Sequence, residues 1–86
     1  MKYTKTVLNN LYSWCFPDTT STVVGNCASS EDNTTSVEIL QVTNPEEELI
    51  WTVSATDPNT KVTSFDTDLA QCIETFKNAW TNRTNN

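Results

Sequence analysis

Most of the ionisable side chains in this 86-residue chain are carboxylates. Asp and Glu number 11 against 5 Lys and Arg, which gives a formal net charge of −6. Carboxylates can act as general acids or bases, bind hard metal ions, or present negative charge to a basic partner. The interval between Asp18 and Thr60 contains no basic residue and eight carboxylates: Asp18, Glu31, Asp32, Glu38, Glu46, Glu47, Glu48 and Asp57.

The chain lacks several residue types on which catalysis usually depends. It contains no His, so a Ser or Cys nucleophile would have no imidazole base. Its single Gly excludes the glycine-rich loops that hold phosphates and dinucleotides. The segments DPNT (57–60) and DTD (66–68) cluster oxygen ligands, but they lack the glycine and spaced glutamate of a calcium-binding loop. We therefore expect no catalytic residue, no cofactor and no metal ion.

The three cysteines, Cys15, Cys27 and Cys72, are spaced by 12 and 45 residues and form no C-x-x-C pair. With no His to complete a ligand set, a zinc site is not indicated. The favoured interpretation is three reduced and mostly buried thiols that pack as small apolar side chains. A disulfide between Cys15 and Cys27 is the alternative.

The first sixteen residues do not resemble a targeting segment. Lys2 and Lys5 are present, but Asn9 and Asn10 interrupt any apolar region, which argues against a signal peptide. No run in the chain approaches the 18 consecutive apolar residues of a membrane span. We expect no contact with a membrane and a cytoplasmic location in the host cell.

Helical spacing of apolar residues predicts a first helix over Tyr3–Phe16, ended by Pro17. Its apolar arc spans roughly 220°, against about 100° for an ordinary surface helix. One edge of so wide an arc, at Leu8, Tyr12 and Phe16, is not expected to reach the sheet. We therefore predict that this edge forms a homodimer or partner contact.

Three segments have the period-two pattern of strands, and a short fourth strand is possible at Val23 and Val24 before a bend at Gly25. In residues 35–43 apolar side chains fall on both faces, so that either both faces are covered or a bulge changes the register. Residues 48–56 alternate clearly, and residues 61–64 complete the set. The inward positions of 48–56 are Leu49, Trp51, Val53 and Ala55.

Residues 66–80, DTDLAQCIETFKNAW, predict a second helix with a single apolar stripe, which Phe65 extends. Ser64 or Asp66 can cap it, and Asp66 and Asp68 suit the positive end of its dipole. The fold class is α+β: an N-terminal helix, a three- or four-stranded antiparallel sheet, and a C-terminal helix packed on one face. We predict one domain over 1–80 and a disordered polar tail over 81–86. The predicted core is Leu49, Trp51, Val53, Phe65, Leu69, Ile73, Phe76 and Trp80.

Direct binding to nucleic acid is not expected. The order helix, three strands, helix is also that of double-stranded-RNA-binding domains, but these contact phosphates through basic residues. The second helix contributes only Lys77 and begins with two aspartates instead.

The run SVEILQVT…ELIWTVSAT…LAQCIETFKNAW, about half of the chain, resembles the sheet and helix of small phage anti-CRISPR proteins from Listeria prophages. The resemblance implies inhibition of a single-protein, RNA-guided DNA nuclease by DNA mimicry. Carboxylates would occupy the basic groove where the nuclease reads the duplex motif beside its target. After Trp80 this sequence has TNRTNN in place of the family's acidic final helix, so no binding residue is carried over.

Two functions follow as hypotheses. The first is a small acidic inhibitor that binds a basic protein surface, in particular that of a nucleic-acid-binding nuclease. The second is a non-catalytic accessory or self-associating domain. For the first, the predicted partner-binding residues are the carboxylates of three loops: Glu31, Asp32, Glu46, Glu47, Glu48 and Asp57.

Overall fold

The computed structural model describes residues 5–83 of the chain. Helix α1 comes first, five strands follow, and helix α2 ends the order. The bounds are α1 Lys5–Cys15, β1 Ser21–Val24, β2 Cys27–Ser30, β3 Ser36–Thr43, β4 Leu49–Thr56, β5 Lys61–Asp66 and α2 Leu69–Thr81. The predicted α+β class is confirmed, with one strand more than the largest number expected. Neither helix of the described range is long and apolar enough to cross a membrane.

The five strands form one antiparallel sheet in sequence order, so each strand pairs with its neighbour in the chain. Strands β3 and β4 pair over eight residues each, from Ser36 with Thr56 to Thr43 with Leu49. The turns β2–β3 and β4–β5 therefore lie at one end of the sheet, and the turn β3–β4 lies at the other. We name these the Asp57 end and the Glu47 end.

Both helices pack on the same face of the sheet, as predicted. Helix α1 contacts β1, β2 and β3, and α2 contacts β4 and β5. The rings of Phe16 and Trp80 join the two helices, with centroids 5.4 Å apart. One core results, formed by Leu8, Leu11, Tyr12, Cys15, Ala28, Val37, Ile39, Val53, Ala55, Leu69, Cys72, Phe76 and Trp80.

The predicted contact edge of α1 lies inside the domain. Leu8 and Tyr12 are fully buried, and Phe16 packs against Tyr12 with ring centroids 5.1 Å apart. Instead Trp14, on the other side of the helix, is 43% exposed. The expectation that this edge does not reach the sheet was wrong, because α1 turns the centre of its arc to the sheet, and the argument for a homodimer or partner contact there is removed. Tyr3, which the prediction included, lies outside the described residues.

In the described part of the chain, strand β3 has neither a bulge nor two covered faces, the two alternatives that its sequence pattern left open. Its pairing with β4 is continuous and contains no bulge. Within residues 5–83, the helices cover one of its faces. Val37 and Ile39 are fully buried under the helices. Leu40 and Val42 lie on the opposite face of the sheet, which we name the open face. There Leu40 is half-buried and Val42 is 37% exposed.

Strand β2 is the element that the sequence patterns did not predict. Its residues, CASS, are small or polar, and only Ala28 is an apolar residue of the core. It forms a hairpin with β1, in which Gly25 occupies the first of two turn positions with φ +62°. Such a positive φ at this position suits glycine. The Gly-Asn pair after two valines was the signal for this hairpin.

The start of α2 was also placed too early. Strand β5 continues through Phe65 and Asp66, and α2 begins only after Asp68, whose carboxylate accepts a 3.0 Å hydrogen bond from the Gln71 N–H. Neither Ser64 nor Asp66 is the cap. Ser64 points into the core, where its hydroxyl donates to the Cys72 carbonyl at 2.8 Å.

Two residues of the predicted core are exposed. Phe65 follows Ser64 on the strand and therefore projects onto the open face, where 62% of it is exposed. Leu49 lies on the covered side at the end of β4, beyond the helices, and is 58% exposed. Val53, Leu69, Phe76 and Trp80 are buried as expected, and Trp51 and Ile73 pack at the margin of the core.

The predicted tail does not begin at residue 81. Thr81 still belongs to α2, and the backbone N–H of Asn82 donates to the Asn78 carbonyl. The Arg83 guanidinium lies 3.8 Å from the Trp80 ring centroid and donates to the Trp80 carbonyl. The rest of the predicted tail, 84–86, lies outside the described residues.

Candidate functional site

The six predicted partner-binding carboxylates divide between opposite ends of the sheet. Glu31, Asp32 and Asp57 lie in turns at the Asp57 end, and Glu46–Glu48 form the turn at the Glu47 end. Seven residue steps of β3 separate the two ends, which is roughly 23 Å. The six carboxylates therefore cannot all line one rim, and each end must be considered separately.

At the Asp57 end, the carboxylate of Asp32 holds its own turn together. Its Oδ1 accepts hydrogen bonds from the Ser30 hydroxyl at 2.7 Å, the Thr34 hydroxyl at 2.8 Å and the Thr34 N–H at 3.1 Å. These bonds hold the pKa of the Asp32 carboxyl below its ordinary value, and the bond from the Ser30 hydroxyl has the largest effect. The side chain is ionised at neutral pH, and its Oδ1 is engaged within the turn.

Asp57 has the same structural role in the β4–β5 turn. Its Oδ1 accepts from the Asn59 N–H at 2.8 Å and from the Thr60 N–H at 2.7 Å. Aspartate at the first position of a turn commonly makes such bonds. Glu31 precedes Asp32 in the β2–β3 turn and is exposed, and it lines a shallow pocket of about 480 Å³ together with Asp18. Of the predicted site residues at this end, two of three are turn-forming residues.

At the Glu47 end, Asn44 builds a tight turn that leaves three glutamates exposed. The Asn44 N–H donates to the Glu48 carbonyl at 3.0 Å, and the Glu47 N–H donates to the Asn44 carbonyl at 2.9 Å. The Asn44 Oδ1 also accepts from the backbone N–H groups of Glu46 and Glu48. The backbone is thus held by Asn44, so the carboxylates of Glu46 and Glu47 are not needed to form the turn.

Glu47 adopts a backbone conformation that glutamate rarely takes. Its φ is +63°, in the left-handed region that favours Gly or Asn. The β2–β3 turn supplies an internal comparison, because its residue at φ +61° is Asn33, as expected for this conformation. The β3–β4 turn therefore keeps a glutamate where another residue would be more stable.

Two further carboxylates lie at the Glu47 end, and the sequence reading assigned them only to helix capping. Asp66 ends β5 opposite Trp51, and Asp68 caps α2. The signal that could have placed them here is the chain direction, because β5 and β3 run the same way in a five-stranded meander. Glu46, Glu47, Glu48, Asp66 and Asp68 form what we name the acidic end.

Three basic side chains, Lys61, Lys77 and Arg83, lie away from the acidic end. Lys61 pairs with Thr56 at the Asp57 end. Lys77 is 5.3 Å from the Trp14 ring centroid, and Arg83 covers Trp80 beyond the last turn of α2. Because α2 starts at the acidic end, these two cations lie about 12 Å or more along its axis. The acidic end therefore presents negative charge that these cations do not neutralise.

Among the described residues, the other chemistry-bearing side chains form no second candidate site. All three cysteines are free, and burial raises the pKa of the Cys15 thiol to about 12. Within residues 5–83, no group of three His, Cys, Asp or Glu side chains is arranged to hold a metal ion. No protein-family model, no curated protein and no solved structure matches the chain.

Proposed function

We propose that this protein is a small, non-catalytic inhibitor that binds a basic surface of a nucleic-acid-binding protein through its acidic end. Its location would be the cytoplasm of a host cell, and its action that of a phage anti-defence protein. The single observation that carries the proposal is Glu47, a glutamate at φ +63° between two other exposed glutamates. Residues in such conformations are often retained for function at a cost in stability.

The geometry of the acidic end supports a partner with a basic groove. The turn is narrow and its backbone is held by the Asn44 side chain, so little backbone entropy is lost when its carboxylates bind. Adjacent glutamates project in different directions from the turn and can contact both walls of a groove. In a protein of net charge −6, long-range attraction to a basic partner would also raise the association rate.

The candidate partner is a single-protein, RNA-guided DNA nuclease, whose DNA-entry groove is basic. The experiment measures binding of a target DNA duplex to the purified, guide-loaded nuclease by fluorescence anisotropy. We expect the protein to compete with DNA at low salt and to compete less as salt rises, because screening weakens charge pairs. Absence of binding at low salt would reject this partner.

Two variants of equal charge change identify the contact surface. Glu46→Gln/Glu47→Gln/Glu48→Gln removes three carboxylates at the acidic end. Asp18→Asn/Glu31→Gln/Glu74→Gln removes three exposed carboxylates elsewhere. We expect the first variant to associate more slowly and the control to lose less. Equal losses would show that only net charge matters, and would contradict a localised site.

The second candidate function is a non-catalytic accessory or self-associating domain. The wide apolar arc of α1 does not support it, because that arc is buried in the core. The observation that still favours it is the apolar side chain of Phe65, 62% exposed on the open face. A domain with only this role would not compete with DNA for the nuclease at any salt concentration, and its carboxylate variants would be functionally silent.

A further inference from the structure

Among the strands of residues 5–83, β5 is at one edge of the sheet and pairs with β4 alone. In an antiparallel pair, every second residue bonds to the neighbouring strand. The Asp57 and Thr60 backbone groups bond to each other at 2.8 and 3.4 Å, which fixes the phase of this alternation along β5. The residues whose backbone N–H and C=O groups face away from β4 are then Lys61, Thr63 and Phe65.

The edge lacks most devices that prevent strands from pairing. Proline and bulges are common protections, and β5 contains neither, since its register with β4 runs unbroken from Lys61 to Asp66. The two charged residues of β5 are at its ends. The side chains of the outward-bonding residues lie on the open face, where Phe65 is 62% exposed beside Thr52 of β4.

We propose that β5 pairs antiparallel with β5 of a second copy about a two-fold axis at Thr63, which extends the sheet to ten strands. The proposal concerns a different surface from the acidic end and does not depend on the proposed function. In this register, Lys61 lies opposite Phe65 of the partner subunit, with Cα atoms about 5.5 Å apart. The Lys61 stem can cover that exposed ring and place the ammonium over its face.

The strand is self-complementary in this register. Two-fold symmetry forms each contact twice, so the cation of each copy meets the aromatic ring of the other. A shift by two residues either way leaves Lys61 or Phe65 without its counterpart and places one edge residue beyond the strand. Only pairing centred on Thr63 satisfies the outward backbone groups of all three residues in both copies.

Salt distinguishes this contact from the proposed inhibitor function. Two copies of net charge −6 repel each other, and screening removes that repulsion. Self-association should therefore strengthen with salt, whereas binding of the acidic end to a basic groove should weaken. A contact limited to one six-residue strand is small by the standard of stable dimers, so we expect reversible, concentration-dependent association.

Sedimentation velocity over a concentration series, at low and high sodium chloride, measures the association. Thr63→Pro removes an edge N–H without removing a bond to β4, and Phe65→Thr removes the ring while keeping a residue suited to strands. We expect each variant to weaken dimerisation by about tenfold or more. The matched control is Val24→Thr, an exposed apolar residue at the opposite edge of the open face, which should dimerise as the wild type does.

A cross-linking experiment fixes the register. In a Cys27→Ser background, Thr63→Cys places two thiols opposite each other at a Cα separation within the range of disulfides. We expect a covalent dimer on oxidation, and none from Thr22→Cys on the other edge strand. A monomer at all concentrations, a dimer unaffected by both edge variants, or a dimer that Thr63→Cys fails to cross-link would each overturn the proposal.

Discussion

The ring of Phe16 lies edge-on to the ring of Trp80, with centroids 5.4 Å apart and an interplanar angle of 78°. Phe16 follows α1 and Trp80 is near the end of α2, so this pair joins the two helices of the core. Edge-to-face pairs add about 0.5–1.5 kcal/mol beyond the area that they bury.

We predict a coupling energy of about 0.5–1.5 kcal/mol between Phe16→Leu and Trp80→Leu in a double-mutant cycle. Urea unfolding of the four proteins measures it. A cycle between Phe65→Leu and Trp80→Leu is the control and should give about zero, since those rings lie on opposite faces of the sheet. Equal coupling in both cycles would contradict the observed packing.

Two phenylalanines make a matched pair for the core. Phe76 is fully buried and Phe65 is 62% exposed. Phe76→Ala should lower the free energy of unfolding by about 3–5 kcal/mol, because it leaves a cavity among the helices and the sheet. Phe65→Ala should cost about 1 kcal/mol or less when measured at low protein concentration. A large loss at Phe65 and a small one at Phe76 would contradict the exposure of Phe65 and the burial of Phe76.

Glu47→Gly should stabilise the protein by about 1 kcal/mol, because glycine adopts the left-handed conformation without steric cost. Thermal unfolding measures the gain. Asn33→Gly, at the equivalent φ of +61°, is the control and should gain less, since Asn tolerates this region. If Glu47→Gly also weakens binding to a basic partner, then Glu47 contributes to binding while lowering the stability of the fold.

The pKa of Asp32 predicts the behaviour of the β2–β3 turn in acid. Its hydrogen bonds to Ser30 and Thr34 lower the folded-state pKa below the ordinary 3.8. Such a carboxylate stabilises the fold above pH 3.8, and the contribution is lost as the pH falls through the lowered value. Asp32→Asn should therefore flatten the decline of melting temperature in acid. Glu31→Gln removes the neighbouring charge and is the control; if it flattens the curve equally, the hydrogen bonds are not the cause.

The three thiols should react at different rates in the folded protein. Burial raises the pKa of Cys15 to about 12, and Cys15 and Cys72 are both buried. Cys27 is half-buried on the open face, with its pKa raised by burial and by Glu38. At neutral pH we expect a maleimide to modify Cys27 first, as read by intact mass, and all three thiols after unfolding. Early modification of Cys15 would contradict its burial.

The patterns in the sequence predicted the long elements well. Leu69, Phe76 and Trp80 recur at helical spacing and are buried in α2, and Val53 and Ala55 alternate as expected in β4. Phe65 was wrongly predicted to be in the core because it fits the helical stripe by angle, although strand β5 continues through it. The spacing of apolar residues alone does not show where a strand ends and the following helix begins.

The candidate site was harder to predict because loop charges depend on tertiary arrangement. The sequence places all six carboxylates in loops and does not distinguish one loop from another. In the antiparallel sheet, the loop with residues 46–48 lies at the opposite end from the loops with residues 31–32 and 57. The left-handed conformation of Glu47 has no signature in its residue type. Asp32 and Asp57, by contrast, lie in turns, where aspartate commonly accepts hydrogen bonds from backbone N–H groups. Their structural role could therefore have been predicted from the sequence.

The sequential strand order has a consequence for the kinetics of folding. Each of the four strand pairings joins neighbours in the chain, so each hairpin closes a short loop and loses little chain entropy. Contacts between residues close in sequence are associated with fast folding. The slower step should be docking of α1 on β3, which brings together more distant parts of the chain. We infer a route in which hairpins form early and the two helices then close over them, with the Phe16–Trp80 contact among the last to form.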